Sequence, residues 1–285
     1  MRRIGLIARD DRLDAADVVR ELVRWLKARG CEVSVDAATG AFAGEGVRVA
    51  QEPDWPRDVE LIVVLGGDGT LLAAARLVGG LGVPILGVNL GRLGFLTATT
   101  LTELYPTLLR VLAGDVTAEE RMVLAASVTR DGNVLGEYLA LNDVVIAKGA
   151  QGRLVELEVS ADGQLMTAYR ADGLIIATPT GSTAYNLSAD GPILFPTMDA
   201  IVLTPICSHA LTNRPIVLPT TIELEVRLSA ERTEVALWPD GQLGLVLSGK
   251  DVVRVRRAGA RIRLVRDPQK TYFQVLRTKL KWGER

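Results

Sequence analysis

Leu61-Ile62-Val63-Val64-Leu65-Gly66-Gly67-Asp68-Gly69-Thr70-Leu71-Leu72-Ala73-Ala74-Ala75 is the stretch that decides how this chain is read. Its first five residues form an unbroken apolar run with β-branched members, which predicts a buried parallel strand. A helical pattern follows the glycines. Strand, glycine turn and helix in that order leave bare N–H groups at a helix N-terminus, where phosphate oxygens bind well. Gly66, Gly67 and Gly69 permit close approach and unusual φ. Thr70 offers a hydroxyl and an N–H. A carboxylate in the middle of an anion site is a conflict. Asp68 repels phosphate unless a cation intervenes or the carboxylate has a task, and local conflicts of this kind mark functional sites. The plainer alternative is a tight turn in which Asp68 caps the helix.

Two familiar phosphate motifs are excluded here. A P-loop needs a lysine after its last glycine, and none lies near this turn. A dinucleotide fingerprint counted from Gly67 needs glycine where Leu72 stands.

Working outward, Ile4 to Ala8 reads as a first strand and Asp14 to Arg29 as an amphipathic helix closed by Gly30. Glu32 to Val35 reads as a second strand, and 36–58 as a loop. Pro84 to Val88 is another buried strand, followed by the glycine-rich Asn89 to Phe95. This alternation predicts an open parallel α/β sheet with ligands at the carboxyl ends of its strands. After a helix near Leu101 to Ala113, strands dominate from Met122 onward. Asp131-Gly132, Asp162-Gly163 and Asp240-Gly241 are hairpin signals. Separate strands are expected at Val252 to Arg256 and Arg261 to Arg266. The expected architecture is an N-terminal open parallel α/β domain over 1–100 and a mainly antiparallel β-sandwich domain over 101–265. A tail over 266–285 packs back on the first.

The chain has 285 residues, 48% hydrophobic and 24% charged, with a net charge of −1. That balance gives no strong pull toward nucleic acid or an anionic membrane. No apolar stretch approaches the roughly 20 residues of a membrane span, and Met1-Arg2-Arg3-Ile4 runs directly into a strand. A cytoplasmic protein is expected. Cys31 and Cys207 form no CxxC pair, and His209 is the single histidine. A His-based metal cluster and a Gly-x-Ser-x-Gly nucleophile elbow are therefore not indicated.

The second informative stretch is Asp172-Gly173-Leu174-Ile175-Ile176-Ala177-Thr178-Pro179-Thr180-Gly181-Ser182-Thr183-Ala184-Tyr185-Asn186-Leu187-Ser188. An apolar strand enters a hydroxyl-rich turn, and a short helix starts near Thr183. Hydroxyls and free N–H groups there suit phosphate or ribose, and Tyr185 can stack on a base. A plain strand-turn-helix connection stays open as an alternative. Asn142-Asp143 offers an amide for a base edge and a carboxylate for ribose hydroxyls, or is simply a turn.

These motifs together resemble the NAD kinase family. The resemblance also takes in Gly91 to Leu96, Asn213-Arg214-Pro215, Asp240-Gly241-Gln242 and Phe273 to Leu280. It implies transfer of the ATP γ-phosphate to the 2′-hydroxyl of the adenosine ribose of NAD, giving NADP. It further implies Mg²⁺ or another divalent cation, carried mainly by the ATP phosphates, and a homodimer or homotetramer. By the same similarity Asp68 accepts the proton. Gly66, Gly67, Gly69 and Thr70 cradle phosphate. Phe95, Asn142, Asp143, Arg153, Arg170, Asp172, Thr180, Thr183, Ala184, Tyr185, Ser188 and Gln242 contact nucleotide. Asp143 stands where many relatives carry Glu. Two other readings remain at this point: a lipid or sphingoid kinase sharing the Gly-Gly-Asp-Gly-Thr turn, and a non-catalytic NAD(P) sensor. Low aromatic content, 5%, and the intact Asp68 speak against them.

Overall fold

The computed structural model describes residues 2–9, 15–50, 55–91, 93–115, 117–149, 154–210, 212–228, 234–266 and 270–283. The chain forms two compact units, Met1–Glu120 with Ile262–Arg285, and Arg121–Arg261. Residues 101–120 thus belong to the first unit, beyond the boundary that composition suggests.

The first unit begins with β1 (Arg3–Ala8), α1 (Ala15–Lys27), β2 (Glu32–Val35), α2 (Ala37–Gly40), β3 (Arg48–Val49) and β4 (Leu61–Leu65). It continues with α3 (Asp68–Val78), β5 (Ile85–Asn89), β6 (Thr99–Thr100) and α4 (Leu104–Ala113). On α1, Val19, Leu22, Val23 and Leu26 recur at helical spacing and are buried. They share a core with Leu6, Val63, Leu65 and Leu86 of the strands. The strands are parallel in the order β3-β2-β1-β4-β5, with Leu6 opposite Val63 and Val63 opposite Leu86. The chain runs outward from β1 to β3, then returns to the other side of β1 as β4. Such a reversal opens a crevice at the carboxyl ends of the strands. Gly66 to Thr70 leaves β4 at that end.

The 36–58 segment is not the plain loop that its weak pattern suggests. It contains α2, β3 and a turn of 3₁₀-helix at Trp55–Asp58. Asp36 caps α2, and the Trp55 indole N–H donates to Ser34 Oγ at 2.8 Å. Tertiary contacts of this kind, rather than periodicity, fix such short elements.

The later strands and helix are β7 (Ala118–Arg130), β8 (Asn133–Ala140), β9 (Asp143–Lys148), β10 (Val155–Ala161), β11 (Gln164–Ala171), β12 (Gly173–Ala177) and α5 (Tyr185–Ser188). They are followed by β13 (Ala200–Ile206), β14 (Ile216–Pro219), β15 (Leu224–Leu228), β16 (Val235–Pro239), β17 (Leu245–Leu247) and β18 (Asp251–Val265). Within the second unit one antiparallel sheet has the order β14-β13-β12-β9-β16-β17. The other runs β11-β10-β15-β18, with the β7–β8 hairpin attached to β18. Leu157, Val159, Val226 and Val253 of one sheet share a core with Leu174, Ile176, Ile201 and Leu237 of the other. This is a sandwich, as the alternating patterns require. Asp131-Gly132, Asp162-Gly163 and Asp240-Gly241 all have positive φ at both residues, the conformation of type I′ hairpins. The two strands expected at 252–256 and 261–266 are one, β18. The small residues Ala258-Gly259-Ala260 break the side-chain pattern but not the backbone.

The chain ends in the first unit. Leu264 pairs with Ile85, and α6 (Tyr272–Leu280) buries Val275 and Leu276.

Candidate functional site

In the first unit Asp68 is the first residue of α3, and Gly67 is its N-cap without a side-chain bond. Asp68 therefore does not cap its own helix. Its carboxylate turns instead to the segment after β5. Oδ2 accepts from the Phe95 N–H at 2.9 Å. Oδ1 accepts from the N–H groups of Leu96 at 3.1 Å and Thr97 at 3.0 Å. The Thr97 hydroxyl also donates to Oδ1, at 2.9 Å. Asn89 Nδ2 steadies that hydroxyl at 3.0 Å. A β-carbon on Gly94 would lie 2.0 Å from Asp68 Oδ1, so the approach requires glycine. A carboxylate held by several donors is fixed in place.

The glycines of the turn do not use the unusual φ that sequence suggests, since Gly66, Gly67 and Gly69 all lie outside the positive-φ set. Gly66 is needed because a β-carbon there would meet Thr70 Oγ1 at 2.5 Å. At Gly67 and Gly69 an added β-carbon meets nothing within 4 Å. The Gly66 N–H donates to Val88 and the Thr70 N–H to Gly67, at 2.9 and 3.1 Å. Thr70 is buried. The N–H groups of Gly67, Asp68 and Gly69 make no hydrogen bond with the described residues.

Two cations of the chain's last stretch belong to the same unit. Burial pulls the Arg266 guanidinium below its ordinary value, against the opposing negative charge of Glu119, Tyr272 and Asp68. Lys279 Nζ stands 5.4 Å from the centre of the half-buried Phe95 ring. Neither residue carries a local sequence signal of its role; only the return of the chain brings them here.

In the second unit Asn142 and Asp143 sit at the start of β9. Asp240, in the left-handed region of the Asp240-Gly241 hairpin, accepts from the N–H groups of Leu141, Asn142 and Asp143 at 2.9, 2.7 and 3.2 Å. The adjoining strand β12 leads into Thr178, whose hydroxyl donates to Leu141 O at 2.6 Å and accepts from the Gly181 N–H at 3.0 Å. A β-carbon on Gly181 would lie 2.0 Å from Asn142 O. The 178–188 turn and the Asn142-Asp143 pair are thus one structure. Thr180 is buried and accepts from Arg121 Nη1 at 3.2 Å. Thr183 and Ala184 are half-buried, while Tyr185, Ser188 and Gln242 are exposed. Gln242 lies in the hairpin that Asp240 opens. Asn186 is fully buried and ties Ser182, Pro192 and Thr204 together, a structural task.

Asp143 is 4% exposed. Burial and the negative charge of Asp240 push its carboxyl up to about 7. It is half protonated near neutrality, able to donate as well as accept.

Arg170 and Asp172 lie elsewhere in this unit. Ala177 pairs with Asp143, whereas Gly173 pairs with Ala147 at the other end of β12. At about 3.3 Å per residue the two clusters are on the order of 15 Å apart. Asp172 binds Lys148 at 2.7 Å, and the carbonyl of exposed Arg170 accepts the His209 N–H at 2.9 Å. Arg153 lies outside the described residues.

The sequence matches the family model of the ATP-NAD kinase N-terminal domain over residues 4–116 and that of the ATP-NAD kinase C-terminal domain over 141–267. It is 49% identical over 285 residues to the NAD kinase of Syntrophotalea carbinolica, covering 100% of both chains. It is 50% identical over 286 residues to that of Geobacter metallireducens, again covering 100% of both. Among solved structures it resembles yeast NADH kinase complexed with NADH, with a TM-score of 0.91 and 26% identity. That match covers 100% of this chain and 89% of the yeast chain. An NAD kinase from Archaeoglobus fulgidus in complex with ATP shares the fold, with a TM-score of 0.75 and 22% identity over 97% of this chain and 99% of that one. None of these matches supports the lipid-kinase or silent-sensor readings.

Proposed function

This chain belongs to the NAD kinase family, and from that premise we propose how its residues transfer phosphate from ATP to NAD to give NADP. The observation that carries the reading is the fixed carboxylate of Asp68 at the start of α3. Oδ1 takes three hydrogen bonds and Oδ2 only one, so Oδ2 keeps a lone pair for a substrate hydroxyl. Asp68 accepts the proton of the ribose 2′-hydroxyl as the new O–P bond forms and the bond from the γ-phosphorus to the β,γ-bridging oxygen breaks, releasing ADP. Phosphoryl transfer has a loose transition state, so a weak base in the right place suffices.

The N–H groups of Gly67, Asp68 and Gly69 face the ATP phosphates at the helix N-terminus. The absence of side chains at Gly67 and Gly69, where the protein itself would tolerate one, supports this role. Arg266 adds positive charge within reach of Asp68. Among the described residues no group of three or more His, Cys, Asp or Glu is placed to hold a metal. Mg²⁺ or another divalent cation would arrive on the ATP phosphates, beside Asp68. The ion supplies charge neutralisation when bound.

Asn142, Asp143, Thr180, Thr183, Ala184, Tyr185, Ser188 and Gln242 form the nucleotide contacts of the second unit, Tyr185 being a flat surface for a base, and Phe95 offers a flat surface in the first unit. Arg170 and Asp172 form a second set of contacts, and Arg153 is a further nucleotide contact implied by the family resemblance. The phosphate turn sits in the first unit, and the NAD contacts lie mainly in the second. A homodimer or homotetramer is the assembly, in keeping with exposed Leu165, Val217 and Val246 on strands at sheet edges. The cytoplasm is the compartment. Two free cysteines suit a reducing environment, and no described helix is long and apolar enough to cross a membrane.

The test is a coupled assay with NAD, Mg-ATP and an NADP-specific dehydrogenase, run beside Asp68→Asn and with EDTA. NADP from the wild type, none from the variant and none with EDTA supports all three roles. Undiminished turnover by Asp68→Asn sinks the base.

A further inference from the structure

The three N–H donors on Asp68 come from an irregular segment, residues 93–98, between β5 and β6. Such a segment has no ladder of its own, so something else must hold it. Its upstream end is tied by Asn89, whose side chain binds the Gly91 N–H at 2.6 Å and the Thr97 hydroxyl at 3.0 Å. Its downstream end is tied by a residue more than 160 positions away. Lys270 Nζ donates to the Ala98 carbonyl at 2.9 Å and to the Glu103 carboxylate. Glu103 in turn accepts from the N–H and hydroxyl of Thr100, at 2.8 and 2.7 Å. One ammonium thus joins the peptide after Thr97 to the start of α4.

We infer that Lys270 is a positioning residue for phosphate transfer: it pins the 95–98 backbone so that its N–H groups stay on Asp68. The inference rests on Asp68 being the proton acceptor. The geometry supports a specific tie rather than general packing. Lys270 is partly exposed, with its side chain at 27%, and it spends its donors on the segment next to Asp68. The helix that follows, α6, sends Lys279 toward Phe95, the residue whose N–H reaches Oδ2. The segment is therefore approached from both ends of the chain's last helix.

Removing the ammonium leaves the Ala98 carbonyl without its donor and the Glu103 carboxylate without its cation. The 95–97 N–H groups then exchange between Asp68 and water. Asp68 loses orientation, which lowers the chemical step more than substrate binding.

The experiment uses the full chain and three variants, Lys270→Met, Lys270→Arg and Asp68→Asn. Methionine keeps the length of the stem but no charge. Hydrogen exchange is read on the peptide covering 93–100, and kcat and KM are measured with NAD and Mg-ATP well below the melting temperature. The expected result for Lys270→Met is exchange about tenfold faster or more in that peptide, and kcat lower by about ten- to hundredfold with both KM values within about twofold. Lys270→Arg, which can serve a carbonyl and a carboxylate together, restores most of both. Wild-type exchange in the peptide, or kcat within about twofold of wild type, overturns the inference. So does a parallel rise of KM with no rescue by arginine. If Lys270→Met is fully active while Asp68→Asn is inactive, the tie fails and the base stands. If Asp68→Asn turns over normally, the base itself fails. Should Lys270→Met not fold, Glu103→Gln weakens the same tie and carries the same expectations.

Discussion

Gly94 stands so close to Asp68 that a β-carbon on it would lie 2.0 Å from Oδ1. The contacts are with the Asp68 carboxylate, the proposed proton acceptor, and with the Thr97 hydroxyl that holds it, at 2.3 Å. Gly94→Ala should therefore act on turnover before it acts on folding. We expect kcat to fall at least about tenfold, with far-UV circular dichroism unchanged. Steady-state kinetics on the folded variant checks this; full activity would mean that the carboxylate is free to move aside.

Asp68→Asn should lower kcat by roughly two to four orders of magnitude and leave NAD affinity nearly intact. The amide lacks the lone pair and charge to take the proton. It also turns an N–H toward one of the donors now on Oδ1 or Oδ2, so some disorder of 95–97 is expected as well. Titration calorimetry with NAD separates the two effects.

Asp143 predicts a pH dependence of stability with a definite sign. Its folded value, about 7, lies above the usual carboxylate value of 3.8 because of burial and then Asp240. The unfolded chain therefore releases this proton first, and the group costs stability increasingly as pH rises from about 4 to about 7. Asp143→Asn removes that cost. Denaturant melts of variant and wild type should coincide near pH 4 and diverge toward pH 7, the variant being more stable by on the order of a few kcal/mol. A gap that shrinks with rising pH would contradict the assignment.

Asp240 should matter to NAD binding without touching NAD. Its carboxylate holds three successive N–H groups, those of Leu141, Asn142 and Asp143. Asp240→Ala releases that backbone and should raise KM for NAD by about tenfold or more, with a smaller effect on KM for ATP. Equal changes in both would point to a general loss of fold.

Glu103 predicts the opposite pH behaviour to Asp143. Burial raises its carboxyl, but the Lys270 bond and those from Thr100 outweigh it and hold the group below its ordinary 4.5. Its stabilisation is present above about pH 4.5 and is lost as pH falls through the lowered value. Glu103→Gln should flatten the acid limb of the stability curve, as read by melts between pH 3 and 6.

What sequence reveals here is local and repetitive. The strand-turn-helix at 61–75, the amphipathic face of α1 and the three Asp-Gly hairpins each carry their signal within a short window, and the structure keeps them. The candidate residues at 66–70, 142–143 and 178–188 are legible for the same reason. The partners of those residues are not. Asp68 is held from 27 to 29 positions away, and Asn142 from 98 away. Lys270 and Arg266 look like ordinary solvated cations until the chain folds back. Even the glycines mislead in part: none at 66, 67 or 69 uses positive φ, and Gly66 is required by the closeness of Thr70.

The first unit is completed only by Ile262–Arg285. During synthesis, at about 5–20 residues per second, the ribosome releases β1 to α4 early, yet Lys270 emerges near the end. The tie that pins the 95–98 segment therefore waits for Lys270. A chain cut short before Lys270 would carry the phosphate turn without the tie that aims it.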